Sequence, residues 1–350
     1  MQLRYTNKLE KIVNHPPTSR TFHAIFTTMV KRIHNIDFGP VWVMSGLLNF
    51  YGQGWPYHKI LKILGINFKK TTLVTKTITL LPREGNMPLK KNLMPVEIIP
   101  KSVYLNFLRG YALNAVSLSG PGAEAIVTSP ILHEKTEPFQ LSFMSVADSE
   151  EDRLQEFSEF IKILLRELRK FKAPIGLQLN VTCPNTEHDS PELKEILKML
   201  DMSEPLVKKG VAIVLKVSVE TPARNILALA KHQNFHALCT SNTVNFGSFP
   251  DKINWKKLFP KGSPLLKRNM NIAKPGGLSG APLLPLVLEQ IRLLRQGGFT
   301  KHINGGGGIL HKKDIEKLFE AGADSVSIGS IAFLNPLAIP GIIKRSYELF

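Results

Sequence analysis

From about residue 40 onward, short apolar runs rich in β-branched residues alternate with longer stretches whose apolar positions recur every three to four residues. A short run has the length of a strand, whereas the 3.6-residue spacing lays an apolar stripe along one helical face. Eight runs predict strands: Pro40–Ser45, Thr72–Thr77, Gln140–Val146, Gly176–Thr182, Ala212–Val217, His236–Ser241, His302–Gly305 and Ser325–Gly329. Between them, Leu154, Phe157, Phe160, Ile161 and Leu164 mark a helix within Ser149–Phe171, and Leu286, Leu288, Ile291 and Leu294 mark another after Pro285. Strands alternating with helices build a parallel sheet, and eight such units suit a closed TIM (β/α)8 barrel better than an open doubly wound sheet. The barrel domain is expected over residues 38–350, behind an N-terminal helical extension over residues 1–37.

Two segments break the repeat and predict two long active-face loops. Gly85–Gly122, rich in Pro and Asn, follows the second strand, and Phe246–Gly277, rich in Lys and Pro, follows the sixth. Connections this long inside a compact domain are usually lids or binding loops. In the extension, Phe22, Ile25, Phe26, Met29, Val30 and Ile33 recur at helical spacing behind Thr18-Ser19, with Lys31 and Arg32 on the flank. Such a helix is expected to close the bottom of the barrel; its basic flank leaves membrane contact as the less favoured alternative.

Composition narrows the function classes. The 350 residues are 43% hydrophobic and 21% charged, the balance of a globular protein with a sizeable core. No stretch approaches the ~18 uninterrupted apolar residues of a membrane span, and no secretory signal opens the chain, so a cytoplasmic location is expected. Cys183 and Cys239 are too few for a disulfide framework and too far apart for a metal-type CxxC, and read as reduced thiols. The histidines form no ligand spacing, so no metal is expected. The formal charge of +17 suits anionic ligands, but its lysines are spread along the chain and form no basic-aromatic motif, which argues against nucleic acid.

The strand C-termini form the active face of such a barrel, and there the unusual residues collect. Ser45-Gly46 ends the first strand, Thr75-Lys76 the second, Asn180 through Cys183-Pro184-Asn185 the fourth, Lys216 the fifth and Ser241-Asn242-Thr243 the sixth. Asparagines, lysines and a cysteine at one rim make a poor core but a good site for a flat, polar, anionic heterocycle. After the seventh and eighth strands, Gly305 to Gly308 and Gly329-Ser330 let the backbone approach a phosphate, at the recurring phosphate position of these barrels. No G-x-x-x-x-G-K-[ST] loop or opening G-x-G-x-x-G supports a nucleotide triphosphatase or a Rossmann domain. A buried Cys239 reads as core packing, and His188 and Asp189 as a solvated loop.

The same segments resemble the dihydroorotate dehydrogenase family. They are SGLLNFYG (45–52), TKTITLLPREGNMP (75–88), NAVSLSGPGAEA (114–125), LNVTCPNT (179–186), VLKVS (214–218), TSNT (240–243), GGLSGAPLLPLVLE (276–289), INGGGGI (303–309) and AGADSVSIGS (321–330), in the family's order. The resemblance implies FMN over the barrel mouth, its phosphate at Gly307, Gly308, Gly329 and Ser330, its ring system along Ser45, Gly46, Thr75, Lys76, Asn180 and Lys216, and Gly280 nearby. Lys76, Asn114, Leu118, Asn180, Asn185, Asn242 and Thr243 match positions that surround orotate in the family. Cys183 falls at the family's proton-abstracting position, where cysteine resembles the soluble class 1 enzymes and serine the membrane-associated class 2 enzymes. The base takes the C5 proton of dihydroorotate as hydride leaves C6 for flavin N5, and a thiol with a reference pKa of ~8.5 suits that task. Class 1 similarity further implies a homodimer, and the family resemblance offers fumarate, an iron–sulfur/FAD partner subunit linked to NAD, or a quinone as electron acceptor in different subclasses; Cys183 disfavours the quinone, and the basic amphipathic segment Phe22–Ile33 keeps it open.

Four positions depart from the family pattern. Ser117 and Gly120 stand where glycine and asparagine are usual, so one substrate-binding amide is missing; Asn49 replaces a common glycine, and Asn304 an aliphatic residue before the phosphate glycines. A changed hydrogen-bonding group in such a pocket alters specificity strongly. The competing readings are an FMN oxidoreductase for another dihydropyrimidine or cyclic amide, and a flavin- or ligand-binding paralogue without turnover.

Overall fold

A computed structural model describes residues 32–182, 192–268, 272 and 274–350. Its strands are β1 (Val41–Val43), β2 (Thr72–Leu73), β3 (Val103–Asn106), β4 (Tyr111–Asn114), β5 (Phe139–Phe143), β6 (Ile175–Asn180), β7 (Ala212–Lys216), β8 (Ala237–Cys239), β9 (Val244–Asn245), β10 (Gly277–Gly280), β11 (His302–Gly306) and β12 (Ser325–Ile328). Each of the eight expected runs overlaps a strand of one parallel sheet, ordered β2-β1-β12-β11-β8-β7-β6-β5, with β5 and β6 starting one residue earlier and β11 ending one residue later than expected. The two ends of that order meet: Thr75 N–H donates to Gln140 O at 2.9 Å and Ile78 N–H to Ser142 O at 2.8 Å, which closes the barrel.

Strand alternation sends one set of side chains outward to the helices and the other into the barrel. Leu141, Phe143, Leu177, Leu179, Ile213 and Leu215 face outward into the main core with Phe157, Phe160 and Leu164 of the helix Glu150–Glu167. Phe143 stacks on Phe160 with ring centroids 4.0 Å apart. That helix starts where the sequence signals it: the Ser149 hydroxyl accepts from Asp152 N–H at 3.0 Å, and Glu150, Glu151 and Asp152 occupy the positive end of the helix dipole. Inside the barrel, Trp42, Val74, Ala212, Val214 and Ala237 pack on Ile33, Ile36 and Phe38, which close the bottom. The described end of the N-terminal extension is a tight turn with Ile33 and Ile36 bridged to each other, and the residues of the expected helix, Phe22 to Val30, lie outside the described residues.

The two breaks in the repeat are more ordered than loops. β3 and β4 lie within Gly85–Gly122, β9 and β10 flank Phe246–Gly277, and the four form one antiparallel sheet ordered β3-β4-β10-β9. Tyr111, Leu113, Val244, Phe259, Leu265 and Leu278 give it a core of its own. The two long connections, far apart in sequence, therefore stabilise each other as a roof over the barrel mouth. Among the described residues, no helix is long and apolar enough to cross a membrane.

Phe38 is 3% exposed. Phe38→Ala is expected to cost about 3–5 kcal/mol, read as a lower denaturant midpoint with an unchanged slope. Two histidines make stability depend on pH. His236 is pushed down to about 4 by burial first and by His34 and Lys301 second, and His58 to about 4 by burial. Both are neutral in the folded chain, whereas the unfolded chain protonates them near their ordinary pKa of about 6.5. Their contribution is complete above that value and is lost as pH falls toward 4. The melting temperature should decline across this window, and less steeply in His58→Asn, whose amide oxygen can still accept from Trp55 N–H.

Candidate active site

A cavity opens at the C-terminal ends of the barrel strands beneath the small sheet. Ser45 and Gly46 reach it from the end of β1, and Lys76 from the segment after β2. Asn180 and Lys216 come from the last positions of β6 and β7, with Asn242 and Thr243 just beyond β8. Gly307 and Gly308 follow β11, and Gly329 and Ser330 follow β12. The roof adds Asn114 from β4 and the loop Val116–Leu118. Thirteen residues expected at the site from sequence are thus brought together from seven barrel strands and the small sheet.

Their side chains are held by one another. Asn242 Nδ2 donates to Asn180 Oδ1 at 2.8 Å and to Thr182 Oγ1 at 3.2 Å, and Asn180 Nδ2 donates to Thr77 Oγ1 at 3.3 Å. Thr77 Oγ1 also lies 2.8 Å from Ser45 Oγ and 3.0 Å from Ser142 Oγ. Each amide is thereby given one orientation, so the pocket offers donors and acceptors at fixed places. Lys76 Nζ donates to Ser119 O and sits 5.5 Å from the centre of the Phe50 ring. Lys76 and Lys216 are 6% and 5% exposed. Burying cationic groups costs free energy that a bound anion offsets, so two buried lysines at one cavity mark it for an anionic ligand.

The roof loop owes its shape to the REGN motif. Asn86 N–H donates to Val116 O at 2.9 Å and Asn86 Nδ2 to Ala115 O at 2.8 Å, while Arg83 and Gly120 exchange both backbone bonds at 2.8 Å. This grip holds Ser117 and Leu118 in the left-handed region, at φ 59° and 58°. A residue other than glycine is strained there, which accounts for glycine being usual at 117 in the family. Asn49 has the same explanation: its φ is 60°, a conformation asparagine tolerates, and its side chain turns from the cavity to donate to Leu93 O at 2.6 Å. Asn304 is fully buried inside the barrel below the cavity floor.

Other expected site residues lie elsewhere. Thr75 is fully buried behind the wall, where its hydroxyl accepts from Ser142 N–H at 3.0 Å. Gly280 contributes close backbone packing to the roof, and its neighbour Ser279 lines the cavity. Cys183 and Asn185, with His188 and Asp189, lie outside the described residues. The cavity also uses residues not singled out from sequence. Trp55 and Phe333 form an apolar wall, edge to face at 5.2 Å, and Trp55 Nε1 donates to Gly46 O at 2.9 Å. Beside them, burial raises the Tyr57 hydroxyl well above its ordinary pKa and keeps it protonated. Thr77, Ser241 and Ser327 complete the floor and sides. No group of three metal-ligating side chains occurs among the described residues.

An apolar wall, an ordered amide set, two buried lysines and two glycine turns can hold a planar, hydrogen-bonding molecule that carries a phosphate. Comparison with known proteins points the same way. The family model described as dihydroorotate dehydrogenase matches residues 31–349. The dihydroorotate dehydrogenase A (fumarate) of Limosilactobacillus reuteri is 29% identical over 77% of this chain and 78% of its own length. The catalytic subunit of dihydroorotate dehydrogenase B (NAD(+)) of Bacillus caldolyticus is 26% identical over 87% of this chain and 84% of its own. In fold, the chain is similar to the crystal structure of DHODH from Eimeria tenella in complex with ferulenol, with a TM-score of 0.62 over 95% of this chain and 90% of that one, at 15% identity. With nearly its whole described length matched and the polar strand ends assembled around one cavity, the chain belongs to the dihydroorotate dehydrogenase family.

Proposed function

We propose that this chain oxidises dihydroorotate to orotate in pyrimidine biosynthesis, with FMN as its bound cofactor. The observation that carries the reading is the meeting, at one barrel mouth, of Lys76, Asn114, Asn180, Asn242 and Thr243 with the glycine turns after β11 and β12. The donor set fits FMN: Gly307, Gly308, Gly329 and Ser330 offer backbone to a phosphate, Lys216 and Asn180 suit the polar edge of the ring system, and Trp55 and Phe333 suit its apolar edge. Lys76 and the asparagines suit the carboxylate and ring carbonyls of the substrate.

In this mechanism Cys183 removes the C5 proton of dihydroorotate, and bound FMN supplies the acceptor for the hydride that leaves C6. The Thr77–Asn180–Asn242 chain holds both amides in place, so the substrate is oriented by groups that need not reorganise. The resemblance also implies a catalytic part for Lys76, which lies at the cavity and suits the anionic substrate. Similarity to relatives named for fumarate and for NAD supports one of these acceptors over a quinone, with an NAD-linked partner subunit in the second case. Resemblance to class 1 enzymes supports a cytoplasmic homodimer, with residues 1–37 an extension of one barrel domain over 38–350.

A second reading, oxidation of another dihydropyrimidine or cyclic amide, is favoured by Gly120. No side-chain amide projects there, and a Cβ on Gly120 would lie 3.0 Å from Phe50 Cζ. Anaerobic mixing of the FMN-loaded protein with dihydroorotate decides between them. Bleaching of the flavin absorbance is expected; no bleaching by dihydroorotate but bleaching by a different cyclic amide would favour the second reading. Cys183→Ala should slow the bleaching at neutral pH by at least ~100-fold while FMN stays bound, and a near-normal rate would remove the cysteine from its role.

A further inference from the structure

Asn304 projects from β11 into the barrel and does not touch the cavity, yet it controls two side chains that do. Its Nδ2 donates to Ser325 Oγ at 2.7 Å, and its Oδ1 accepts from the Ser327 hydroxyl and, at 3.3 Å, from the Cys239 thiol. Ser327 lines the cavity floor, as does Ser241, whose hydroxyl lies 2.9 Å from Cys239 Sγ and 2.7 Å from Met44 Sδ. A hydroxyl has one proton and two lone pairs, so the destination of its proton decides what it shows a ligand. Ser327 directs its proton down to Asn304. Burial pushes the Cys239 thiol up, so it keeps its proton, and of its three oxygen neighbours, Ser241 Oγ, Asn304 Oδ1 and Ser327 Oγ at 3.6 Å, the amide oxygen of Asn304 is the one that can only accept it. The sulfur then faces Ser241 as an acceptor. The Ser241 proton goes to one of two sulfurs, Cys239 or Met44, and in either case its lone pairs remain for the cavity.

We infer that Asn304 fixes the cavity floor as a pair of hydrogen-bond acceptors, Ser241 and Ser327, matched to a ligand segment that donates hydroxyl protons. With the aliphatic residue usual in the family at 304, the Ser327 and Cys239 protons would lose this acceptor and the floor would no longer have one polarity. The inference rests on the FMN reading and sharpens it. In the sheet, Ser327 is paired with Gly306, just before the phosphate glycines, and Cys239 with Lys216, on the ring-system side. Between a phosphate and a flavin ring lies the ribityl chain, a row of hydroxyl groups. Asn304 is a positioning residue for that chain and acts through Ser327 and Ser241.

The test titrates the full chain, stripped of flavin, with FMN and with lumiflavin, which has the ring system but no ribityl chain. Binding is followed by flavin fluorescence and folding by circular dichroism. Asn304→Leu and Ser327→Ala should each weaken FMN about three- to tenfold. Lumiflavin should change by less than about twofold, and the double variant should fall short of the product of the single losses. Unchanged FMN affinity in a folded Asn304→Leu, losses that multiply, or an equal loss for lumiflavin would overturn the assignment. If Asn304→Leu does not fold, Ser241→Ala and Ser327→Ala decide: a loss confined to FMN supports the acceptor floor, and no FMN-selective loss overturns it. A wild-type chain that binds neither flavin instead removes the cofactor reading on which the floor depends.

Discussion

Backbone in contact with backbone sets the width of the barrel mouth. A Cβ on Gly280 would lie 2.3 Å from Gly110 O, and one on Gly308 would lie 2.6 Å from Leu284 N and 3.0 Å from Gly280 O. Both glycines hold positive φ, at 98° and 86°, where a side chain is strained even with space available. Ala281 N–H donates to Gly110 O at 2.8 Å and locks the same junction. The loop after β11, the strand β10 and the start of β4 are thereby stacked without intervening side chains. The roof sheet is thereby held over the glycine turns, and Asn114, paired with Gly277 on β10, is carried to the cavity that Asn180 and Lys216 also line.

Beneath this junction the barrel has an unusually polar interior. Gln140, Ser142, Gln178, Asn304, Ser325 and Ser327 are all buried, where a purely structural barrel would be filled by branched apolar side chains. Buried polar groups cost least when hydrogen-bonded, and part of this set is bonded upward: Ser142 Oγ lies beside Thr77 Oγ1, Asn180 Nδ2 donates to Thr77 Oγ1 and the Ser327 hydroxyl donates to Asn304 Oδ1, while Gln140 Nε2 and Gln178 Oε1 find no partner among the described residues. The apolar plug of Ile33, Ile36 and Phe38 seals the other end. The barrel is thus packed for stability at the bottom and wired for recognition at the top, with the outward-facing core carrying most of the hydrophobic stabilisation.

The eight barrel strands were legible because each is a compact apolar run ending in polar or glycine residues, and the glycines after the seventh and eighth stood out by their ordinal position together with the helices that follow them. The roof sheet was not. β9 has two residues, β10 reads GLSG with little strand propensity, and the pairing of β10 with β4 joins segments about 160 positions apart, which no local pattern reveals. Site residues at strand ends were found for the same reason the strands were. Trp55 and Phe333 were not found because a cavity wall and a core look alike in sequence, and Ser241 and Ser327 because a serine signals nothing until its inward parity is known. Thr75 does not line the cavity, because past Leu73 the chain leaves the regular ladder, and Lys76 and Thr77 reach the cavity while Thr75 bonds to β5.

On the proposed FMN reading, the Gly110–Gly280–Gly308 stack holds roof and floor at the separation that the flavin needs. Its most direct test is the FMN affinity of Gly280→Ala, read by flavin fluorescence alongside a melting curve. The account predicts a chain that keeps its barrel, melts earlier and binds FMN more weakly than the wild type. Wild-type FMN affinity in that variant would contradict it.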